Sequence, residues 1–300
     1  MPAFNAEQLI GESIASVLAQ TYPHFELLIL DDGSSDKTSE VAHSFQDPRI
    51  EVLRHDQNQG LVVSRNDLVS ASKGKYIAFL DADDLAEPSR LAAQVEFLES
   101  GAADICGADH YTLYQATGKL KKSKQVHSDA DIRAMMVVAC PLCNPSVMGK
   151  AEIFKLHPFD SSVDVSEDYA LWQTLSLAGY RFANLRKLLL TYRVHSSQIS
   201  QQKLTQTQAA NIKQQNLYIE GLGISIALRP QSLPWQKRIT TGPLFLWKLN
   251  QRIPKISIKA NYQIYARFQS RKNALWTPLT RMERWVIALI ATLVGRLSSR

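Results

Sequence analysis

The sequence has 300 residues, of which 45% are hydrophobic and 21% charged; this composition excludes collagen-like and disordered classes and allows a sizeable core. Three cysteines, an odd number, argue against a disulfide framework and for a reducing compartment, and the pair Cys140 and Cys143 is read as buried thiols because no second ligand pair for zinc follows. We find no signal-peptide pattern and no apolar run of the ~18 residues that span a bilayer, which predicts a cytoplasmic protein.

The charge is distributed unevenly along the chain, although the net value is +6. Residues 1–228 carry 20 Lys+Arg against 27 Asp+Glu, whereas residues 229–300 carry 14 against one. Four of the five tryptophans also lie in the second segment. This pattern predicts a catalytic body over 1–215 and a basic, mostly helical extension over 216–300 that has a different partner.

The first part of the sequence predicts strands that alternate with helices. Periodicity and turn residues predict helices over 8–20, 37–46 and 61–72, and strands over 25–30, 50–53 and 76–80. Such alternation is typical of an α/β fold with a largely parallel sheet, in which ligands bind beyond the carboxyl ends of the strands. After about residue 110 the pattern loosens, and we expect loops and less regular elements there.

Carboxylates follow two of the predicted strands. Asp31 and Asp32 end one of them, and Asp81, Asp83 and Asp84 end another. Two carboxylates about 4 Å apart repel by roughly 4 kcal/mol at an effective dielectric of about 20, and a cation removes that repulsion. Hard oxygen ligands suit Mg²⁺ or Mn²⁺, which usually bind together with substrate phosphates. The second cluster therefore predicts a divalent cation beside a phosphate-bearing ligand; a solvated acidic turn is the alternative.

Six motifs occur in the order typical of one enzyme family. They are M-P-A-F-N-A-E, Q-T-Y-P-H-F-E-L-L-I-L-D-D-G-S-S-D, N-Q-G-L-V-V-S-R-N, A-S-K-G-K-Y-I-A-F-L-D-A-D-D, S-E-D-Y-A-L-W and Y-R-V-H-S-S-Q-I-S. Over residues 1 to about 200 the chain thus resembles a family 2 glycosyltransferase of the GT-A fold, a Rossmann-like α/β domain.

The resemblance implies an inverting, metal-dependent enzyme that transfers a sugar from a nucleotide-sugar donor, usually a UDP-sugar. The acceptor would be a hydroxyl of a glycan or of a lipid-linked sugar, as in the synthesis of bacterial cell-surface polysaccharide or lipopolysaccharide. One alternative is a catalytically inactive, nucleotide-binding scaffold of the same fold. Another is a sugar nucleotidyltransferase, although the glycine-rich loop that such an enzyme needs near its start is missing.

The resemblance also assigns the donor-binding residues. Asp32 matches the carboxylate that accepts hydrogen bonds from the donor's base, and a helix cap is its alternative role. Arg65 is a candidate partner for the diphosphate, with a surface arginine as the alternative, and Asp81 would reach the ribose or a metal-bound water. The first loop supplies the remaining donor-binding residues, which are Pro2, Phe4 and Asn5, the phenyl ring being suited to lie against the base.

The resemblance assigns the metal ligands and the catalytic base as well. Asp83 and His195 would bind Mn²⁺ or Mg²⁺, with Asp84 supporting the loop. Asp168, the second carboxylate of S-E-D-Y, would be the general base, and Glu167 would orient the loop or an acceptor hydroxyl. The alternative for His195 is an ordinary exposed histidine after a strand. The alternative for Glu167 and Asp168 is that they are only first-turn carboxylates that the helix dipole favours.

The start of the sequence departs from the family pattern. Members normally carry a strand of the V-S-V-I type directly before M-P-x-(Y/F)-N, and here the sequence begins at that methionine. The first strand of the sheet is therefore expected to be missing. Our hypothesis is that Met1 is an internal methionine of the natural protein; a degenerate, inactive chain is the rival.

The basic C-terminal segment lies outside the resemblance. A helix over 281–297 would place apolar residues on one face, namely Met282, Trp285, Val286, Leu289 and Leu293. Arg281, Arg284 and Thr292 would lie opposite. Together with the charge, this predicts a membrane-surface helix and a protein found either in the cytoplasm or peripherally on the inner face of the cytoplasmic membrane. Packing on the catalytic domain or a dimer contact is the alternative, and nucleic acid is not expected as a partner.

Overall fold

The structure, a computed structural model, describes residues 1–198, 202–226, 235–269, 288–289 and 292. Its strands are β1 (Pro2–Ala3), β2 (Leu27–Asp31), β3 (Ile50–Arg54), β4 (Tyr76–Ala78), β5 (Leu85–Ala86), β6 (Ile105–Tyr114), β7 (Lys119–Ser123), β8 (Met148–Lys150) and β9 (Phe182–Val194). Its α-helices are α1 (Ile10–Leu18), α2 (Thr38–His43), α3 (Leu61–Ala71), α4 (Arg90–Glu99), α5 (Asp129–Met135), α6 (Ala151–Leu156), α7 (Glu167–Leu177), α8 (Leu204–Gly221), α9 (Trp235–Arg252) and α10 (Ile258–Gln269).

The first part of the chain confirms the predicted alternation of strands and helices. All six predicted elements are present, with ends within three residues of the expected ones. β1, β2 and β3 form a parallel sheet in that order, in which Leu27 lies opposite Ile50. β2 is buried along its whole length, as expected for a parallel strand that is covered on both faces. Its carboxyl end therefore presents Asp31 and Asp32 at one edge of the sheet.

The prediction of loops and less regular elements after about residue 110 was wrong. The longest strands lie in this part of the chain: β6 has ten residues and β9 has thirteen. They pair in parallel within a second sheet of order β4-β8-β6-β9-β5, with β7 alongside β6. The other strand pairs of this sheet are antiparallel, so the expectation of a largely parallel sheet holds only for the first sheet.

Two irregularities hide these strands from a search for alternating polarity. In β9 the exposed pair Arg186 and Lys187 interrupts a buried run. In β6 the pairing register with β9 shifts on both sides of Asp109. Each irregularity breaks the period of two that identifies a half-buried strand. The strands are nevertheless stable, because they lie between other strands of the sheet.

An aromatic cluster connects the strand that precedes the acidic loop with helix α7. The ring of Phe79, one residue after β4, lies 5.0 Å from that of Phe154 and 6.3 Å from that of Trp172, measured between centroids. Phe159 packs edge-on against Phe79 at 5.6 Å. All four side chains are buried. The cluster therefore fixes the distance between the loop that begins at Asp81 and the start of α7.

The C-terminal helices share the core of the preceding part. Tyr218 in α8 and Ser176 in α7 are joined by a hydrogen bond of 2.7 Å between their hydroxyls. The N–H of Ser257, which precedes α10, donates to Asp131 in α5 at 2.7 Å. One apolar cluster contains Trp172 together with residues from α8 to α10, namely Tyr218, Ile219, Phe245, Leu246, Leu249, Ala260 and Ile264. The division at residue 215 stays a prediction, and the described part of the second segment packs on the first.

Most of the predicted membrane helix over 281–297 lies outside the described residues. Thr292 is buried, and its hydroxyl accepts a hydrogen bond of 2.6 Å from the amide of Asn261 in α10. Ala288 is buried as well, whereas Leu289 is 39% exposed. The side that was predicted to be polar thus contacts α10 at Thr292, and one residue of the predicted apolar face is open to solvent. Among the described residues, no helix is both long and apolar enough to cross a bilayer.

The aromatic cluster generates a prediction about stability. Replacing Trp172 by Ala should lower the free energy of unfolding by about 3–5 kcal/mol, because the indole is fully buried and leaves a cavity. Urea unfolding followed by circular dichroism measures this change. Thr174→Ala, on the exposed side of the same helix, is the control and should change stability by less than about 0.5 kcal/mol. A loss of unfolding free energy in Trp172→Ala that is as small as that in Thr174→Ala would show that the aromatic cluster does not determine stability.

Candidate active site

Asp32 lies at the carboxyl end of β2 and is held by the loop that contains N-Q-G. Its carboxylate accepts hydrogen bonds from the N–H groups of Gln59 at 2.9 Å and Gly60 at 2.8 Å. His55 Nδ1 lies 2.7 Å from the same carboxylate, and its Nε2 lies 3.0 Å from Asp67. Burial raises the pKa of Asp32, but these hydrogen bonds outweigh it and hold the pKa below its usual range. The hydrogen bond to Asp32 in turn raises the pKa of His55.

The sequence analysis missed His55, since no motif contains it. The turn after Asp32 explains why the D-D-G motif and the loop before N-Q-G lie so close together. Gly33 has φ +70°, and a Cβ there would lie 2.5 Å from the backbone of Gln57. Only glycine allows this close approach of D-D-G to the loop before N-Q-G. The two motifs that were predicted separately therefore pack against each other around Asp32.

Hydrogen bonds hold the first loop beside the turn that follows Asp32. The N–H of Asn5 donates to the hydroxyl of Ser34 at 2.9 Å, and its side-chain oxygen accepts from the N–H of Ser35 at 3.0 Å. Asn5 has φ +49°, a left-handed conformation that few residues other than glycine adopt. Phe4 is 49% exposed, and Pro2 lies in β1 opposite Leu30. The structure thus brings the predicted donor-binding loop next to Asp32 with an open aromatic ring.

The three carboxylates after β4 form a compact cluster. Oxygens of Asp81, Asp83 and Asp84 lie within 4.8 Å of one another. One oxygen of Asp84 accepts from the N–H of Arg193 at 2.8 Å, and the other is buried with no hydrogen-bond partner. Burial, followed by the charge of Asp81, raises the pKa of Asp83, and burial raises the pKa of Asp84 well above its usual range.

His195, which follows β9 of the same sheet, approaches the cluster at Asp83. Its Nε2 lies 2.9 Å from Asp83, and its Nδ1 lies 2.7 Å from the hydroxyl of Ser197. The structure thus brings Asp83 and His195 together, and their role as metal ligands stays a prediction. Clustered hard oxygens, an unsatisfied buried oxygen and one imidazole fit Mn²⁺ or Mg²⁺. Gln198, which the sequence analysis missed, anchors this loop by donating to the carbonyl of Arg193 at 2.5 Å.

Arg65 connects the acidic cluster with helix α7. Its guanidinium lies 3.1 Å from Asp81 and also forms an ion pair with Glu167. The side chain of Arg65 is only 5% exposed, so the alternative of a surface arginine was wrong. The charges of the surrounding carboxylates outweigh burial and raise the pKa of Arg65, which stays charged. Its predicted contact with a diphosphate stays a prediction.

Asp168 lies in the first turn of α7, beside this ion pair. Ser166, the last residue before α7, has φ +64°, and this left-handed conformation turns the chain sharply into the helix. The N–H of Tyr169 donates to Asp168 at 2.7 Å. Burial and then the charge of Glu167 raise the pKa of Asp168 to about 7, although Arg65 opposes the shift. A carboxylate with such a pKa can accept a proton near neutral pH.

The ion pairs of Arg65 generate a prediction about stability. Arg65→Met should lower the free energy of unfolding by about 3–5 kcal/mol, because it leaves two carboxylates without their buried cation. Chemical denaturation at neutral pH measures the change. Arg49→Met, which breaks the ion pair with Asp47 near the surface, is the control and should have little effect. A loss no greater than that of the control would contradict a structural role for Arg65.

Comparison with known proteins identifies the family. Residues 1–155 match the family described as Glycosyl transferase family 2. An uncharacterized glycosyltransferase of Haemophilus influenzae is 32% identical over 253 residues, which is 75% of this chain and 74% of that protein. The glucosyltransferase WfaP of Escherichia coli is 27% identical over 225 residues, which is 74% of this chain and 84% of WfaP. For an uncharacterized glycosyltransferase of Rickettsia conorii the match covers only 29% of that longer protein.

Solved structures show the same fold. TarS 1–349 of S. aureus, in complex with UDP, superposes with a TM-score of 0.58 at 14% identity, covering 99% of this chain and 90% of that chain. The mannosyltransferase PcManGT of Pyrobaculum calidifontis, in complex with GDP-Man and Mn²⁺, gives a TM-score of 0.55 at 17% identity and covers 99% and 85%. The fold is thus GT-A, and the chain is a glycosyltransferase that belongs to family 2.

Proposed function

We propose that the protein transfers a sugar with inversion from a UDP-sugar to a hydroxyl of a glycan or lipid-linked acceptor, with Asp168 as the general base. The observation that carries this proposal is the position of Asp168. It lies in the first turn of α7 with a pKa near neutrality, and Arg65 and Glu167 tie that turn to Asp81 at the acidic cluster. A proton acceptor and a cation-binding loop therefore lie at the two ends of one ion-pair network.

The donor subsite is proposed between the first loop and Asp32. A carboxylate offers about four acceptor sites, and hydrogen bonds from Gln59, Gly60 and His55 use three of them. One acceptor site is then left for an N–H on the edge of a base such as uracil. Phe4 is exposed beside it and can cover the face of the base. The name of WfaP specifies UDP-Glc as donor, and TarS was solved with UDP and with UDP-GlcNAc, which supports a UDP-sugar.

A divalent cation is proposed at the acidic cluster. Asp83 and His195 would hold it, with help from Asp81 and with Asp84 supporting the loop. When bound, the cation would act as a Lewis acid that stabilises the negative charge of the diphosphate leaving group. PcManGT was solved with Mn²⁺, and the buried carboxylate oxygens described above fit that ion.

The chemistry of the chain's own residues is a single displacement. Asp168 removes the proton of the acceptor hydroxyl as its oxygen bonds to the anomeric carbon of the sugar. The bond between that carbon and the diphosphate oxygen breaks, and its electron pair leaves with the diphosphate. Because the hydroxyl attacks from the face opposite the leaving group, the configuration inverts. Glu167, fixed by Arg65, keeps the turn that carries Asp168 in position.

The acceptor is proposed to be lipid-linked, with the basic C-terminal segment near an anionic membrane surface. WfaP is named for a diphosphoundecaprenol-linked acceptor, which supports this class. The segment over 229–300 carries 14 basic residues and one acidic residue, a balance that favours contact with anionic lipid. Packing of α9 and α10 on the core places part of that segment on the same body as the site.

Donor binding can be tested by thermal unfolding with UDP, GDP, dTDP or CMP, each with and without Mn²⁺. UDP with Mn²⁺ should raise the unfolding midpoint, since a ligand at 100 times its dissociation constant adds about 2.7 kcal/mol to the folded state. Asp83→Asn should abolish the part of the shift that depends on Mn²⁺. Asp160→Asn, in an exposed loop outside the cluster, should keep it. A larger shift with another nucleotide would overturn the UDP assignment.

The general base can be tested by Asp168→Asn. Asparagine cannot accept the proton, so turnover should fall by about 10²–10⁴-fold while the UDP-dependent shift remains. In the wild-type protein, kcat/KM should fall as the pH drops through about 7, because Asp168 becomes protonated. Asp164→Asn, in the loop before α7, is the control and should keep both turnover and pH profile.

A stability measurement shows whether Asp168→Asn loses only the general base or also its fold. The pKa of Asp168 is raised on folding from its usual 3.8 to about 7, so the wild type loses stability as the pH rises from about 4 to about 7, and the loss is complete above that range. Asp168→Asn should therefore be at least as stable as the wild type, with an advantage that grows between about pH 4 and about pH 7 and then stays constant. Full turnover in Asp168→Asn would overturn the proposed base, and UDP binding without turnover in the wild type would point to a nucleotide-binding scaffold.

A further inference from the structure

Strands β6 and β7 form a hairpin that is joined by a turn over residues 115–118. Tyr114 and Lys119 lie opposite each other on the two sides of this turn. The N–H of Thr117 donates to the carbonyl of Tyr114 at 3.1 Å, which closes the turn. The tip of the hairpin is therefore a defined turn that extends the second sheet.

The hairpin leaves the sheet beside the acidic cluster. β6 and β9 run parallel, and the N–H of Gln115 donates to the carbonyl of Val194 at 3.1 Å, where β9 ends. The next residue is His195, whose Nε2 lies 2.9 Å from the carboxylate of Asp83. The tip of the hairpin therefore projects from the same end of the second sheet that carries the proposed cation site.

The hairpin is strongly basic. Residues 110–128 contain no Asp or Glu. Four lysines, all exposed, lie in β7 or directly after it, namely Lys119, Lys121, Lys122 and Lys124. In the described part of the chain, the lysines that form ion pairs are Lys73, Lys75 and Lys150. The hairpin therefore carries a positive charge that no carboxylate of the described residues compensates.

Two large apolar side chains lie at the tip among these lysines. Tyr114 is 38% exposed and Leu120 is 55% exposed. Leu120 lies opposite Leu113, and Lys122 lies opposite Tyr111, about 7 Å farther from the turn along the strand. The exposed apolar side chains are thus close to the turn, and three of the four lysines lie behind them.

Lysines on an edge strand also prevent its pairing with another chain, and in the described part of the sheet β7 pairs only with β6. That role explains the charge but not Tyr114 and Leu120, because exposed apolar residues at an edge favour association. The surface of an anionic bilayer matches both features. Its head groups attract lysines, and leucine and tyrosine side chains are stable at the boundary with the acyl chains.

We propose that the β6–β7 hairpin is a membrane-docking element whose partner is a bilayer surface that contains anionic phospholipid. Leu120 and Tyr114 enter the interface at the tip, and the lysines contact the phosphates of the head groups. Each lysine near such a surface strengthens binding by about fivefold. This contact involves none of the residues over 229–300, so it is independent of the basic C-terminal segment.

Docking through the hairpin would turn the proposed cation site toward the bilayer, because the tip and His195 lie at the same end of the sheet. The reactive hydroxyl of a lipid-linked acceptor lies close to the head groups, so the docked enzyme would meet it there. This consequence for catalysis rests on the proposed function. The docking itself rests on the hairpin alone.

The lysines can be tested with the full chain and vesicles of equimolar phosphatidylglycerol and phosphatidylcholine. Replacing all four hairpin lysines by Gln should lower the partition coefficient, measured by vesicle sedimentation, by at least about 100-fold. The matched control has the same net charge, because it replaces by Gln four exposed lysines outside the hairpin, namely Lys37, Lys155, Lys187 and Lys213. The control should stay within about threefold of the wild type.

The apolar tip can be tested with all lysines in place. Leu120→Ser should lower the same partition coefficient by about fivefold, because serine gains little from entering the interface. Leu156→Ser, at a position in α6 that is 68% exposed, is the matched control and should leave the partition coefficient unchanged.

Three outcomes would contradict the proposal. A lysine variant that binds vesicles as well as its control would overturn it and would assign vesicle binding to the rest of the chain. Equal partition of the two serine variants would overturn the insertion of the tip. Lysine-dependent binding of soluble polyphosphate without binding to vesicles would make the partner a soluble polyanion. Because the vesicles contain no acceptor and no turnover is measured, an inactive enzyme leaves these comparisons intact.

Discussion

The buried guanidinium of Arg65 is the interaction on which the site depends. It contacts Asp81, which follows a strand of the second sheet, and Glu167, which starts α7. Glu167 is buried and could not stay charged there without a cation, because an unpaired buried charge is strongly unfavourable, whereas Asp81 is half-buried. One positive charge does not balance the whole set, since Asp83 and Asp84 also lie at this place. The protein alone leaves a negative surplus at the acidic cluster, and this surplus is the physical argument for the cation proposed there.

The site could be predicted from sequence where short motifs carry both the fold and the chemistry. The predicted elements of the first part were confirmed, and the strand ends placed Asp32 and Asp81 correctly at the sheet edge. The pairing of Arg65 with Glu167 could not be read from the sequence, because 102 residues separate them and no periodic pattern reports the contact. His55 was missed for a related reason, since it gains its role only through the fold of the loop around Asp32.

The second sheet shows where pattern analysis fails. Its strands β6 and β9 are long, but the register shifts at Asp109 and the exposed pair Arg186 and Lys187 interrupt their alternation. The C-terminal segment shows the same limit for composition. Its charge suggested an independent extension, yet residues of α9 and α10 lie in one apolar cluster with Trp172. Net charge describes the surface of a segment, whereas a few buried positions decide where the segment packs.

The ion-pair network connects the two parts of the proposed donor site. Asp32 follows β2 of the first sheet, whereas Asp81 follows β4 of the second, so a nucleotide-sugar bound as proposed would contact both sheets. Arg65 lies in α3, which contacts β1 and β2 of the first sheet, and it pairs with Asp81 and with Glu167 at the start of α7. Through α3, this one guanidinium ties the first sheet both to the acidic cluster and to the helix that carries Asp168. The geometry of the proposed donor site should therefore depend on Arg65 even if Arg65 does not touch the donor.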